Sequence, residues 1–206
     1  MTKKTMLKTV LACSAAGMLV LGGTSAYLTD REEAVNEFVV GKVDIELTEP
    51  NWKPEDNKEI VPTQEIKKDP KITNTGINSA FVYLEIAIPK ANVICANPDG
   101  SRIPAANTEL FTFTPNENWT LLGTSDSETQ KVYTYAFDQI VEAGDSTNTL
   151  FDEVTFANVI EGQLETRQLN IPVHAYAIQS LNTGGDSTDV PAQAKEAYQK
   201  YLKQNA

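Results

Sequence analysis

One imidazole and, past the first 26 residues, one thiol are all the chain offers a soft metal or a nucleophilic mechanism. They are His174, in Ile171-Pro172-Val173-His174-Ala175-Tyr176-Ala177, and Cys95, which follows Val93-Ile94. A zinc peptidase of the ordinary kind needs two histidines a helical turn apart and a glutamate to activate water. With a single histidine no HExxH exists, and His174 alternates with Val173 and Ala175 as a structural strand residue does. A Cys95–His174 dyad lacks any local signature, and the apolar residues before Cys95 read as those of a buried, inert thiol. Neither a GxSxG elbow nor a Gly-rich phosphate loop occurs. Carboxylates are plentiful, in Glu32-Glu33, Glu55-Asp56, Asp126 with Glu128, Asp152-Glu153 and Asp186 with Asp189, but none has EF-hand spacing. Adjacent acids in turns read as solvated, with weak Ca²⁺ binding by the Asp186–Asp189 loop as the alternative. The expectation is therefore no catalytic residue, no metal ligand and no cofactor.

The elements that would carry these residues are β-strands. Phe38 to Thr48 alternates, with Val43, Ile45 and Leu47 on one face and Lys42, Asp44 and Glu46 on the other. Glu49 to Pro62 holds three prolines and several charges and reads as an exposed loop. Ile66 to Thr73 and Ala80 to Pro89 flank Asn74-Thr75-Gly76, a turn signal in which Asn or Gly can take positive φ. Both faces of Phe81 to Ile88 are largely apolar, which predicts a central strand. Asn97-Pro98-Asp99-Gly100 is a second turn, followed by irregular chain to Asn107. Leu110–Thr114, Trp119–Leu122, Lys131–Phe137, Leu150–Phe156 and Leu164–Ile178 complete the strands, with a turn at Gly144-Asp145-Ser146. Short strands without βαβ alternation predict an all-β, antiparallel sandwich. After a Gly/Ser/Asp-rich linker, Asp189-Val190-Pro191 predicts the start of a short C-terminal helix. Its Ala194, Ala197, Tyr198, Tyr201 and Leu202 share one face, which is expected to pack on the sandwich.

The first residues read as an address. Lys3, Lys4 and Lys8 precede an apolar run from Thr9 to Leu21, and Gly22-Gly23-Thr24-Ser25-Ala26 supplies small residues for cleavage. That run is about 13 residues, short of the roughly 20 that cross a bilayer as a helix. Cleavage after Ala26 is favoured over cleavage after Tyr27, since a small residue is wanted there. A retained anchor and lipidation at Cys13 fit less well; the apolar run continues well past Cys13. Formal charge is −11, and loss of the three lysines takes it to about −14, which argues against nucleic acid and anionic lipid. Cys95 then stands alone, so no intramolecular disulfide is expected.

Residues 22 to 52, Gly22-Gly23-Thr24-Ser25-Ala26-Tyr27 through Asn36, Phe38, Gly41, Val43, Asp44 and Ile45 to Trp52, resemble the N-terminus of the TasA/camelysin (CalY) proteins of Gram-positive bacteria. The resemblance is looser in 68–76, 150–156 and 171–179. It implies a jelly-roll-like form of the sandwich, processing by a SipW-type signal peptidase, and fibres in which the freed N-terminal segment enters the next subunit as a strand. Residues of that segment expected to act in assembly are Leu28, Phe38, Val39 and Val40, beyond the junction at Ala26 and Tyr27. The expected organisation is a signal peptide over 1–26, an extended donor segment over 27–40, the sandwich over 41–181, and linker plus helix over 182–206. The expected partners are further copies of the chain, the signal peptidase and related matrix subunits, with no nucleic acid and no membrane contact after cleavage. The protein is thus expected outside the cell or on its surface. The camelysin branch also implies a metallopeptidase alternative, and a monomeric binding module is the third reading.

Overall fold

The computed structural model describes residues 43–53, 59–164 and 167–204. The expected signal peptide and donor segment, with Ala26, Tyr27, Leu28, Phe38, Val39 and Val40, therefore lie outside the described residues. Ten strands and one helix follow in order: β1 Ile45–Thr48, β2 Glu65–Lys67, β3 Lys71–Asn74, β4 Ala80–Val93, β5 Ala106–Glu109, β6 Phe111–Thr112, β7 Trp119–Asp126, β8 Gln130–Phe137, β9 Glu153–Phe156, β10 Val173–Gln179 and α1 Val190–Gln204. Every strand pair is antiparallel.

β4 organises the molecule because both of its faces are apolar. It lies inside a sheet ordered β10-β4-β8-β7, with β5 added along its C-terminal end. Val82, Leu84, Ile86 and Ile88 alternate onto one face and enter the main core, whereas Phe81 and Tyr83 enter a second, smaller cluster on the other face. A second sheet, β2-β9-β6, contributes Ile66, Val154, Phe156 and Phe111 to that same main core, and the β1-β3 pair contributes Ile72. Two antiparallel sheets burying their inner faces in one cluster make a β-sandwich, as the strand pattern predicts.

Several boundaries differ from the sequence reading. Ile66–Thr73 is two strands, β2 and β3, because Pro70 separates them and they belong to different sheets. β4 runs through Pro89 to Val93; Pro89 sits between the end of the β10 ladder at Ile86 and the start of the β5 ladder at Lys90. A missing N–H is tolerated at such a gap between partners. β5 begins inside the stretch read as irregular, while β9 and β10 start later than their apolar runs do. The residues ahead of β10 instead close over the core as irregular chain, with Leu169 and Ile171 packed against it.

The turn after β3 also departs from expectation. Neither Asn74 nor Gly76 has positive φ, in contrast to Gly100 (φ 84°) and Gly144 (φ 86°) in the other two turns. Asn74 acts through its side chain instead. It is fully buried; Nδ2 donates to the carbonyls of Asn78 and Val141, both at 2.9 Å, and Oδ1 accepts from the Gly76 N–H at 3.0 Å.

α1 covers the second face of β4. Asp189 caps it, Oδ2 accepting from the Ala192 N–H at 3.1 Å, with Pro191 in the first turn where its absent N–H costs nothing. Ala194 and Ala197 are buried against Phe81 and Tyr83, and the Tyr83 hydroxyl donates to the Ala194 carbonyl at 2.7 Å. Leu202, expected on the packed face, remains exposed. Among the described residues no helix is long and apolar enough to cross a membrane.

Candidate assembly site

The residues that chemistry would need are not brought together. His174 is exposed on β10, opposite Glu85 of β4. Cys95 is free and half-buried, in a bridge to Val159, where a fully buried thiol was expected. The acids are engaged in local structure. Glu153 pairs with Lys67 at 2.8 Å, and that hydrogen bond raises the Lys67 pKa above its ordinary value. Asp126 pairs with Lys90, whose hydrogen bond lowers the Asp126 pKa, and Asp152 accepts from Thr149 at 2.8 Å. Asp189 is spent on the helix cap. Among the described residues no group of three or more His, Cys, Asp or Glu side chains could hold a metal ion.

What the fold builds instead is a groove of about 1120 Å³ beside β2. Among the described residues β2 has a neighbouring strand on one side only, where β9 pairs with it, and its Ile66 lines the groove. Ile66, Phe111, Val154 and Phe156 form the apolar floor, and Leu169 and Ile171 form the opposite bank. Glu59, Glu161 and Arg167 stand at the polar rim. An extended chain laid here would meet a strand edge on one side and apolar side chains beneath.

The third wall is Trp52, and its placement rests on a buried polar clamp. Lys68 and Asp69 are 7 % and 3 % exposed, so each must be paired to be tolerated there. Lys68 Nζ donates to Glu49 Oε1 at 2.7 Å and lies 5.4 Å from the centre of the Trp52 ring. Asp69 accepts from the Asn51 N–H at 2.9 Å and from Asn51 Nδ2 at 2.8 Å. Glu49, Asn51 and Trp52 are thereby tied to the start of β3. The sequence reading placed them in an exposed loop; the signal it missed is the Lys68-Asp69 pair between two short strands, β2 and β3.

The opposite end of the sandwich is also defined. The Asp44 carbonyl accepts from the N–H groups of Thr75 (3.0 Å) and Gly76 (3.1 Å), so the described chain begins beside the β3–β4 turn. β10 starts at the groove, after Ile171 and Pro172, and ends at this far end, where the Ser79 and Ser180 hydroxyls meet at 2.7 Å.

Residues 1–93 match the family model described as Camelysin metallo-endopeptidase. That stretch, a little under half of the chain, is similar to the camelysin family. No curated protein and no solved structure matches the chain. The camelysin match runs from the first residue through β4, and so takes in Glu49–Trp52, the Lys68-Asp69 clamp and Asn74. The family's description implies a metal, which needs a set of closely spaced donors. One histidine in the whole chain, exposed on a strand and with no second histidine a helical turn away, does not fit a zinc peptidase centre.

Proposed function

We propose that the chain is a secreted structural protein that polymerises by strand donation. Cleavage by a SipW-type signal peptidase next to Ala26 and Tyr27 frees the segment 27–40. Phe38, Val39 and Val40 then add to the open edge of β2 in the next copy, with Leu28 contributing farther along the groove. The product is a fibre of the extracellular matrix or cell surface of a Gram-positive bacterium, made of this chain alone or with related matrix subunits.

The observation that carries this reading is a groove with Ile66, Phe111, Val154 and Phe156 in its lining, beside a strand paired on one side only among the described residues. Three apolar residues suit β2, itself three residues long. Main-chain hydrogen bonds would supply affinity, and alternate side chains would fill the floor. Such a contact joins different surfaces of successive copies and does not close, so it propagates. Deleting Tyr27–Val40 is expected to abolish fibres in negative-stain electron microscopy while leaving a soluble, β-rich monomer. Normal fibres from the deletion would sink the reading.

The competing reading is the activity in the family's description. Casein cleavage abolished by chelator, with stoichiometric metal in protein purified without tags, would establish it. The donor set described above predicts neither.

A further inference from the structure

Large aliphatic side chains left in water gather where the described chain begins. Ile77 is 59 % exposed, Leu181 66 % and Ile140 36 %. Short contacts bring them to one end of β4. Asn78 bonds to Gln179 and Ser79 to Ser180, which sets Ile77 beside Leu181; the antiparallel Ala80–Val141 bridge leaves Ile140 on the opposite flank, level with Phe81. The Gly76 N–H, next to Ile77, donates to the Asp44 carbonyl. Ile77 therefore lies beside the point where the described chain begins.

A length argument says what covers it. Val40 and Val43 are three residue steps apart, a reach of at most about 11 Å when fully extended. If Phe38–Val40 of one copy lie along β2 of another, the donor's Asp44–Ile77 end is held against the mouth of the acceptor's groove. We propose that this end, through Ile77 and Leu181, is a second subunit–subunit contact, docking on a second copy of the chain at the groove mouth near Val61. Val61 lines the groove and is 61 % exposed. The contact rests on the strand-donating reading and adds to it a body-to-body interface that fixes the angle and spacing between subunits. Its apolar atoms leave water only in the fibre, so it contributes to assembly and nothing to the monomer.

The test uses the chain beginning at Tyr27 and carrying Ile77→Asp and Leu181→Asp. Melting is expected to be unchanged, since both side chains are already in water. The critical concentration for sedimentable fibre is expected to rise at least about tenfold, while a fluorescent peptide of residues 27–40 binds with unchanged affinity. Unchanged assembly of the variant, alongside loss of fibres on deleting Tyr27–Val40, would overturn the contact and leave strand donation standing. Loss of peptide binding in the variant would place these residues' effect in the groove and also overturn it. Normal fibres from the deletion would remove strand donation and this contact together. A chain with native side chains and ten Gly/Ser residues inserted after Val40 gives an independent reading. Subunit spacing that stays the same supports the contact, and spacing that grows with the insert overturns it.

Discussion

Asn74 satisfies two carbonyls and one N–H from a position with no access to water. Asn74→Ala strands those groups, and Asn74→Asp turns an acceptor toward two carbonyls. Each is expected to cost about 2–4 kcal/mol. At about 2–4 °C per kcal/mol for a domain of this size, that is roughly 5–15 °C in melting temperature by circular dichroism. In sequence this asparagine reads as a generic turn former before Gly76. Its burial was hidden because Val141, one of its partners, lies 67 positions away. Lys68 and Asp69 were hidden for the same reason. A charge at a strand end looks solvated until the chain that folds over it, here Glu49–Trp52, is known.

α1 is held by fit more than by charge. A Cβ at Gly184 would stand 2.6 Å from Gln193 Cβ and 3.1 Å from Phe81 Cζ, closer than packed carbons tolerate. Gly184→Val is therefore expected to lift the helix and speed limited proteolysis within Val190–Gln204 by about tenfold or more, with the sandwich intact. The tyrosines beneath the helix give the same layer a pH limit. Burial, with a hydrogen bond to Glu85, pushes the Tyr176 pKa up to about 12, and burial raises that of Tyr83 as well. An unfolded tyrosine ionises near 10. The stabilisation these groups give is complete below about pH 10 and is lost as pH rises through about 12. Tyr176→Phe is expected to move alkaline release of the helix to higher pH, read by circular dichroism.

This layer was legible in the sequence, since β4 announced two apolar faces and Asp189-Val190-Pro191 announced the helix that covers one of them. The strand order was not. β3 pairs with β1, and β4 with β10 and β8, partners set by which faces the folded core must bury. The groove was illegible for a related reason: Trp52, Ile66, Phe111 and Ile171 come from separate segments and meet only in the fold.

At the scale of the whole molecule, the chain has a groove at one end and an apolar rim at the other, joined by the length of β10. On the strand-donating proposal, a polar, two-ended body of this kind would grow by translation along one axis. The chain carries a formal charge of −11, and about −14 if the proposed cleavage removes three lysines, so like copies repel at low ionic strength. Raising salt from about 0.02 to about 0.3 M shortens the screening length to a few ångströms. The critical concentration for fibre growth is then expected to fall several-fold by light scattering. A rise with salt would mean that ion pairs, not apolar contacts, hold the copies together.

β4 carries a consequence of a different kind. One of its flanks waits for β10 and one of its faces waits for α1, and both come from the last 34 residues, from Val173 to Ala206. A ribosome delivers the chain N-terminus first, so its most apolar strand emerges long before β10 and α1 can cover it. Closure is postponed until those two elements arrive. Until then the apolar faces of β4 stay open to other chains, and synthesis rate becomes a lever on yield.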